Sequence, residues 1–145
     1  MKRIFMIEDN EDHALLIRRG IETPDCEIRH FSDGLEALKA CQQVQKYGGR
    51  PDLILLDLQL PGMNGFDILQ AIKKMDELLY VPIVMLTTSA RREEIEKAYE
   101  LGADGYVVKS DDFSVLITKL KYIKDYWFSA VELPFQSTQT RNPSC

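Results

Sequence analysis

Side chains of the types that carry out phosphoryl chemistry follow four short apolar segments of this 145-residue chain. Glu8 and Asp9 stand directly after the first of these segments, and Asp57 stands after a later one. The hydroxyl of Thr87 and the amine of Lys109 follow the last two. If these segment ends meet, three carboxylates share one pocket, and a hard cation such as Mg²⁺ is needed to balance their charge. A carboxylate can itself attack phosphorus, while a lysine and a hydroxyl stabilise the transferred group.

The segment before Asp57 determines how that residue is interpreted. Leu53 to Leu56 is an unbroken apolar run, bounded by Pro51 and by the turn-forming residues 61–65. Such a short run is typical of a strand buried on both faces of a parallel sheet. Open α/β sheets bind their ligands at the carboxyl ends of such strands, where Asp57 stands. An aspartate there can also simply cap a loop or the next helix, so Asp57 alone does not decide its own role.

Apolar runs and helical spacing alternate five times along the chain. Strands are predicted at residues 3–7, 26–31, 53–56, 81–86 and 105–108. A helix is predicted after each strand: the first stops at residues 23–24, the second runs from 34 to about 47, and the others cover 65–75, 91–101 and 115–127. Asp33 and Glu36 have the spacing of a capping box at the start of the second helix. The residues expected on the inward helical faces are Ala14, Ile17 and Ile21; Leu35, Leu38, Cys41 and Val44; Phe66, Leu69 and Ile72; Ile95, Ala98 and Tyr99; and Leu116, Leu120, Ile123 and Trp127. This alternation predicts an α/β fold with a parallel sheet covered by helices on both faces.

The composition indicates one globular domain. Hydrophobic residues make up 45% and charged residues 28% of the chain, which is typical of a folded domain with its own core. A net charge of −5 argues against nucleic-acid binding, and no apolar stretch is long enough to span a membrane. The N-terminus lacks signal-peptide features, and three cysteines without a CxxC pair indicate neither a disulfide framework nor a zinc site. We expect a cytoplasmic protein with a domain over 1–128 and a tail over 129–145 whose end, 136–145, is disordered.

Two longer motifs extend the pattern around Asp57 and Lys109. Residues 55–65 read LLDLQLPGMNG, and residues 101–109 read LGADGYVVK. Together with the acidic pair Glu8-Asp9, these motifs resemble the receiver domain of two-component response regulators, from residue 3 to about 127. The resemblance implies a flavodoxin-like, doubly wound three-layer sandwich with five parallel strands in the order 2-1-3-4-5.

The resemblance also implies roles for the acidic residues. Asp57 would be the phosphoacceptor, phosphorylated by a sensor histidine kinase or a phosphotransfer protein. Asp9, Asp57 and the backbone carbonyl of Gln59 would bind Mg²⁺ directly, and Glu8 would act through water. The chain would then be a signalling domain that catalyses only its own phosphorylation and slow dephosphorylation.

By the same resemblance, three further residues would respond to the phosphoryl group. Lys109 would contact it, Thr87 would be the switch hydroxyl that turns toward its oxygens, and Tyr106 would follow by moving inward. The alternative for Tyr106 is a plain half-buried strand aromatic. We interpret Thr88 and Ser89 as helix-capping hydroxyls.

Some features depart from the family pattern. Glu8 replaces the more usual aspartate, the loop over residues 43–50 is longer than usual, and Ser110 follows Lys109 where the family usually has a proline with a cis bond. A non-proline cis bond costs about 3 kcal/mol, so the geometry of that peptide bond is left open. The Lys-Ser pair, the long loop and the aromatic end of the last helix resemble single-domain regulators that partner bacterial phytochromes. We interpret His13 and His30 as isolated surface or packing residues.

A phosphatase of the haloacid-dehalogenase kind is the alternative from another functional class. It would use Asp57 as its nucleophile and Asp111-Asp112 as its acidic pair. That chemistry needs a second aspartate two residues after the nucleophile, where this chain has Gln59. Glutamine cannot donate and recover a proton at a useful pKa, and the pair Glu8-Asp9 would be left without a role.

The C-terminal segment has more apolar side chains than one helix face can bury. Tyr126, Trp127 and Phe128 are consecutive, and consecutive helical residues point about 100° apart. This apolar surface either folds back on the domain or meets another chain, and aromatic clusters are typical of interfaces. We predict a homodimer whose strength changes on phosphorylation. Because only a short tail follows residue 128, no output domain is expected, and signalling is expected to use protein–protein contacts.

Overall fold

Five short apolar segments pair in parallel to form the central sheet. The computed structural model of the protein describes residues 1–134, apart from the side chain of Gln45. In chain order the strands are β1 (Lys2–Ile7), β2 (Cys26–Phe31), β3 (Leu53–Leu56), β4 (Gln59–Leu60), β5 (Met63–Asn64), β6 (Ile83–Thr87) and β7 (Gly105–Val108). The sheet has the order β2-β1-β3-β6-β7, which confirms the predicted fold and strand order. Strands β4 and β5 form a separate antiparallel hairpin that the sequence analysis missed.

Five helices cover the two faces of the sheet. They are α1 (Glu11–Ile21), α2 (Gly34–Tyr47), α3 (Gly65–Lys73), α4 (Arg92–Glu100) and α5 (Phe113–Asp125). Alternate strand residues point to opposite faces, so Phe5 and Ile7 pack in one core with α2 and α3, while Ile4 and Met6 pack in a second core with α1 and α5. Residues 4–7 of β1 and the whole of β3 are buried by both cores, which explains why these segments are continuous apolar runs. No helix within residues 1–134 is long and apolar enough to cross a bilayer.

Polar side chains begin four of these helices. Asn10, Asp33, Asn64 and Asp112 each accept a hydrogen bond from a backbone N–H in the first turn of the helix that follows. Such a cap contributes about 1 kcal/mol to helix stability. The predicted contact at α2 is confirmed, since Oδ1 of Asp33 accepts from the N–H of Glu36 at 2.9 Å.

Two residues expected on inward helical faces are exposed instead. Leu35 is 56% exposed and Tyr99 is 50% exposed, so both expectations were wrong. The buried side chains of α2 include Ala37, and Leu35, two positions earlier, points about 200° away around the helix. In α4 the residue that is buried is Ala98, and the side chain after it is rotated about 100° toward solvent.

Three helix ends differ from the predicted ones by two residues, and both ends of α4 differ by one. Helix α3 ends at Lys73, and Asp76–Leu78 forms a 3₁₀ turn that places Leu78 in the core. Helix α5 begins at Phe113 and ends at Asp125, after which Tyr126–Ala130 forms a π-helical turn. The predicted disordered segment, 136–145, lies outside the described residues.

Candidate functional site

The carboxyl ends of β1, β3, β6 and β7 bring the predicted residues to one edge of the sheet. Within residues 1–134, the buried polar or charged residues are Glu8, Asp57, Thr87 and Lys109. Carboxylate oxygens of Glu8, Asp9 and Asp57 lie within 4.8 Å of one another, and Asp9 is the exposed member. Burying a charge costs free energy unless it is paired and hydrogen-bonded, so this cluster depends on contacts among its own members.

Lys109 supplies the positive charge of the cluster. Its Nζ donates hydrogen bonds to Oδ2 of Asp57 at 3.1 Å and to Oε1 of Glu8. A third contact joins Nζ to Nδ1 of His13 at 3.0 Å. An ammonium has three N–H donors, so these three acceptors satisfy it, and the lysine side chain is only 3% exposed. The structure therefore places the ammonium of Lys109 against the carboxylate of Asp57.

Neither histidine is isolated, which corrects the sequence interpretation. His13 stands in the first turn of α1, and that helix starts at the carboxyl end of β1 beside the acidic pair. Its ring therefore reaches Lys109, and Nδ1 lies 4.0 Å from Oε2 of Glu8. Nε2 of His30 lies 2.6 Å from the backbone oxygen of Glu8, because β2 pairs in parallel with β1 and ends at the same edge.

The loop after β3 holds the carboxylate of Asp57 at this edge. Oδ1 of Asp57 accepts from the backbone N–H of Gln59 at 3.2 Å. The N–H of Gly65 donates to the backbone oxygen of Leu58 at 3.0 Å. A Cβ on Gly65 would lie 2.4 Å from the backbone oxygen of Asp57. Only glycine fits there, which explains why Gly65 begins α3.

Glu8 is the carboxylate most perturbed by burial. Burial raises the pKa of Glu8 to about 7, and Lys109 opposes this shift by hydrogen bonding and by its charge. Oε2 of Glu8 also accepts from the N–H of Asn10 at 3.2 Å. Its neighbours Asp9 and Asp57 complete a set of hard oxygen donors, which fits a small divalent cation.

Thr87 and Tyr106 connect this cluster to the loop between β6 and α4. The backbone oxygen of Thr87 accepts from the N–H of Lys109 at 2.8 Å. The hydroxyl of Tyr106 donates to the backbone oxygen of Ser89 at 2.9 Å, and burial raises the pKa of Tyr106. Neither predicted capping hydroxyl caps α4, so that interpretation was wrong: no side chain caps the helix at Arg91, Ser89 accepts from the N–H of Arg91 at 3.3 Å, and Thr88 is exposed.

The segment after Lys109 leads directly into α5. The peptide bond between Lys109 and Ser110 is trans. The hydroxyl of Ser110 accepts from the N–H of Asp112 at 3.1 Å, and Asp112 caps α5. Asp112 therefore has a structural role that needs no catalytic explanation.

Comparison with known proteins identifies the family. A model of the response regulator receiver domain matches residues 4–121. The chain belongs to the response regulator receiver family. It is 35% identical to response regulator Rcp1 of Synechocystis over 137 residues, which cover 92% of this chain and 93% of that protein.

Many solved structures share the fold of this receiver domain, and two of them are also more than 30% identical to it over nearly the whole chain. The phosphorylated cyanobacterial phytochrome response regulator RcpA is 36% identical, with a TM-score of 0.86, over 92% of this chain and 99% of that one. The Mn²⁺-bound form of Rcp1 is 34% identical, with a TM-score of 0.84, over 93% of this chain and 100% of that one. A receiver domain is a signalling domain, and these relatives give no support to the phosphatase alternative.

Replacing Glu8 should change how the stability of this receiver domain depends on pH. The pKa of Glu8 is raised from 4.5 to about 7 by folding, so between these values the folded state binds more protons than the unfolded state. The free energy of unfolding must then fall as the pH rises through that window. Glu8→Gln removes the group that causes this fall. The free energy of unfolding of the variant, minus that of the wild type, should therefore be larger at about pH 8 than at about pH 5, by roughly 1–3 kcal/mol.

Urea unfolding in EDTA measures this effect. Glu100→Gln, which changes an exposed carboxylate on α4, is the matched control and should shift stability by less than about 0.5 kcal/mol at either pH. A relative stability of Glu8→Gln that is the same at both pH values would contradict the electrostatic description of the pocket.

Proposed function

We propose that this receiver domain accepts a phosphoryl group on Asp57 from a sensor histidine kinase or a phosphotransfer protein, and signals by binding other proteins. The observation that carries the proposal is the buried carboxylate of Asp57, 3.1 Å from the ammonium of Lys109, at an edge where two more carboxylates meet. In the transfer, a carboxylate oxygen of Asp57 attacks phosphorus and a P–O bond forms. The P–N bond to the donor histidine breaks, and its electron pair leaves with the imidazole.

The acidic pocket fits a divalent cation, and we assign Mg²⁺ to it. Asp9, Asp57 and the backbone carbonyl of Gln59 would hold the ion directly, and Glu8 would contact it through water. When bound, Mg²⁺ neutralises negative charge on a phosphoryl group during its transfer. The different burial of the two neighbouring acids supports the division of roles, because Asp9 is exposed while Glu8 is buried and already bonded to Lys109. The Mn²⁺-bound structure of Rcp1 supports a divalent ion in a relative of this chain.

Lys109, Thr87 and Tyr106 would respond to the phosphoryl group. Phosphorylation changes the carboxylate oxygens that Lys109 contacts and supplies new phosphoryl acceptors close by. Thr87 would then turn its hydroxyl toward the phosphoryl oxygens. The hydrogen bond of Tyr106 to Ser89 lies in the loop directly after Thr87, so a movement of that loop would draw Tyr106 further inward.

The resemblance to RcpA suggests the kind of kinase that donates the phosphoryl group. RcpA is a phytochrome response regulator of 36% identity, and we assign a phytochrome-type sensor kinase to this chain as well.

The domain would occupy residues 1–128, with a tail over 129–145. It would lose its phosphoryl group slowly by hydrolysis without turning over an external substrate. The free thiols of Cys26 and Cys41 suit a reducing compartment such as the cytoplasm, and the net charge of −5 suits protein partners better than nucleic acid.

Acetyl phosphate with Mg²⁺ should add the mass of one phosphoryl group to the wild-type chain. Asp57→Asn should lose most of this gain, because the amide that replaces the carboxylate is a poor nucleophile. Intact mass spectrometry, with and without EDTA, measures the outcome. Asp67→Asn, which changes an exposed acid on α3, is the control and should be labelled like the wild type. Labelling of Asp57→Asn at the wild-type rate, or equal labelling in EDTA, would rule out the assignment.

The face formed by α4, β7 and α5 suits contact with a second copy of the chain. Strand β7 is an edge strand of the sheet, and a groove of about 570 Å³ runs beside it. The aromatic residues Tyr99, Tyr122, Tyr126 and Trp127 line this groove, and Tyr122 is 68% exposed. Aromatic side chains are enriched at protein interfaces, so we propose a homodimer across this face.

The C-terminal aromatic residues divide between the two possibilities that the sequence left open. Trp127 and Phe128 pack against the core of α1 and α5, and Nζ of Lys2 lies 5.7 Å from the centre of the Phe128 ring. Tyr126 is 52% exposed. Part of the apolar surface therefore folds back on the domain, and part is available to a partner.

Tyr122→Asp should weaken the proposed dimer, because the new carboxylate would be buried at the interface without a partner. Tyr47→Asp is the matched control, since Tyr47 is 76% exposed and lies outside the groove, at the end of α2. Sedimentation velocity at tens of micromolar measures the association, with and without Mg²⁺ and beryllofluoride, which stands in for a phosphoryl group. The same measurement on the chain truncated after Phe128 should show weaker association.

A wild-type chain that stays monomeric in every condition would contradict the dimer. Equal association of Tyr122→Asp and the wild type would show that the interface is elsewhere, and equal association of the truncated chain would exclude a contribution from residues 129–145. Association that does not respond to beryllofluoride would remove the link to phosphorylation.

A further inference from the structure

Lys109 has a third partner besides the two carboxylates, and that partner is not an acid. Nδ1 of His13 lies 3.0 Å from Nζ of Lys109. The side chain of His13 is 34% exposed, whereas that of Lys109 is 3% exposed. The imidazole therefore links a buried ammonium to the surface of the domain. The roles proposed above for the acids, Thr87 and Tyr106 do not account for this contact.

We propose that His13 is a positioning residue: its neutral imidazole accepts one N–H of Lys109 and fixes the ammonium where it can meet a phosphoryl group on Asp57. The consequence for phosphorylation rests on the proposed function. The contact itself exists without phosphorylation and can be tested separately.

The chemistry of the contact fixes the protonation state of His13. An ammonium nitrogen can only donate hydrogen bonds, so Nδ1 must present its lone pair and the ring proton must be on Nε2. A ring that accepts this hydrogen bond at Nδ1 and keeps its proton on Nε2 is neutral.

A neutral acceptor suits an ammonium that has to exchange partners. Glu8 and Asp57 accept two of the N–H groups of Lys109, and both carboxylates would gain other partners with a cation and a phosphoryl group in the pocket. His13 carries no charge, so it neither repels the phosphoryl oxygens nor adds to the carboxylates that attract the cation. Its hydrogen bond can persist while the other two N–H groups of Lys109 change acceptors. A carboxylate at position 13 would instead add a fourth carboxyl group to a pocket that already holds those of Glu8, Asp9 and Asp57.

NMR of the unphosphorylated wild-type protein tests the contact without any substitution. Long-range ¹H–¹⁵N spectra of the imidazole rings should show an unprotonated Nδ1 and a protonated Nε2 for His13. The ammonium signal of Lys109 should be visible, because a buried and fully hydrogen-bonded ammonium exchanges slowly with water. A protonated Nδ1 at neutral pH would overturn the proposal.

Two variants of His13 separate the hydrogen bond from the volume of the ring. His13→Phe keeps the ring but removes the acceptor, and should abolish or strongly shift the Lys109 ammonium signal. His13→Asn can place its side-chain oxygen where Nδ1 lies, and should retain the signal. An ammonium signal that is the same in His13→Phe as in the wild type would overturn the proposal.

The rate of phosphorylation by acetyl phosphate tests the consequence. His13→Phe should be slowed about tenfold and His13→Asn should stay within about threefold of the wild type, because a hydrogen bond to a charged group is worth about tenfold or more. Glu11→Gln, an exposed neighbour in the first turn of α1, is the control and should match the wild type. A wild-type rate in His13→Phe, or equal slowing in Glu11→Gln, would overturn the positioning role. A wild-type chain that takes no phosphoryl group would overturn the proposed function, and the NMR signals would then decide the His13 contact separately.

Discussion

The ammonium of Lys109, buried and shared by two carboxylates, is the interaction on which the site depends. Glu8 and Asp57 follow adjacent strands, β1 and β3, and two like charges repel strongly where water is excluded. Lys109 reaches both from the end of β7. Glu8 and Asp57 precede Lys109 by 101 and 52 positions in the sequence. A sheet whose parallel strands end at one edge brings these distant residues together. The alternation of strands and helices is therefore a precondition of the chemistry.

A short series of hydrogen bonds connects the acidic pocket to the groove beside β7. The N–H of Lys109 is bonded to the backbone oxygen of Thr87, and two residues further on, the backbone oxygen of Ser89 accepts from the hydroxyl of Tyr106. Tyr106 also lines the groove beside β7. A change of partners at Lys109 can thus shift the loop before α4 and the shape of the proposed interface. Such coupling requires an element with two discrete arrangements, and the Thr87–Ser89 loop with Tyr106 is the candidate for it.

Most of the fold and the acidic part of the site were predictable because they follow from local signals. Continuous apolar runs placed the strands, the spacing of Asp33 and Glu36 placed the start of α2, and parallel topology brought Glu8, Asp57 and Lys109 to one edge. The exposed positions of Leu35 and Tyr99 were not predictable from spacing alone, because the direction of a helix face is set by the neighbours it packs against. His13 was missed because no local sequence pattern marks it. It reaches the site only because the first turn of α1 lies at the same edge of the sheet as the end of β1.

A crystal structure of the full chain with Mg²⁺ and beryllofluoride would show whether Lys109 moves to a phosphoryl group on Asp57, since beryllofluoride stands in for that group. We expect beryllofluoride bonded to a carboxylate oxygen of Asp57, with Nζ of Lys109 within about 3.2 Å of a fluorine and no longer hydrogen-bonded to Oδ2. Lys109 still bonded to both Glu8 and Asp57, with the beryllofluoride bound elsewhere, would contradict this expectation.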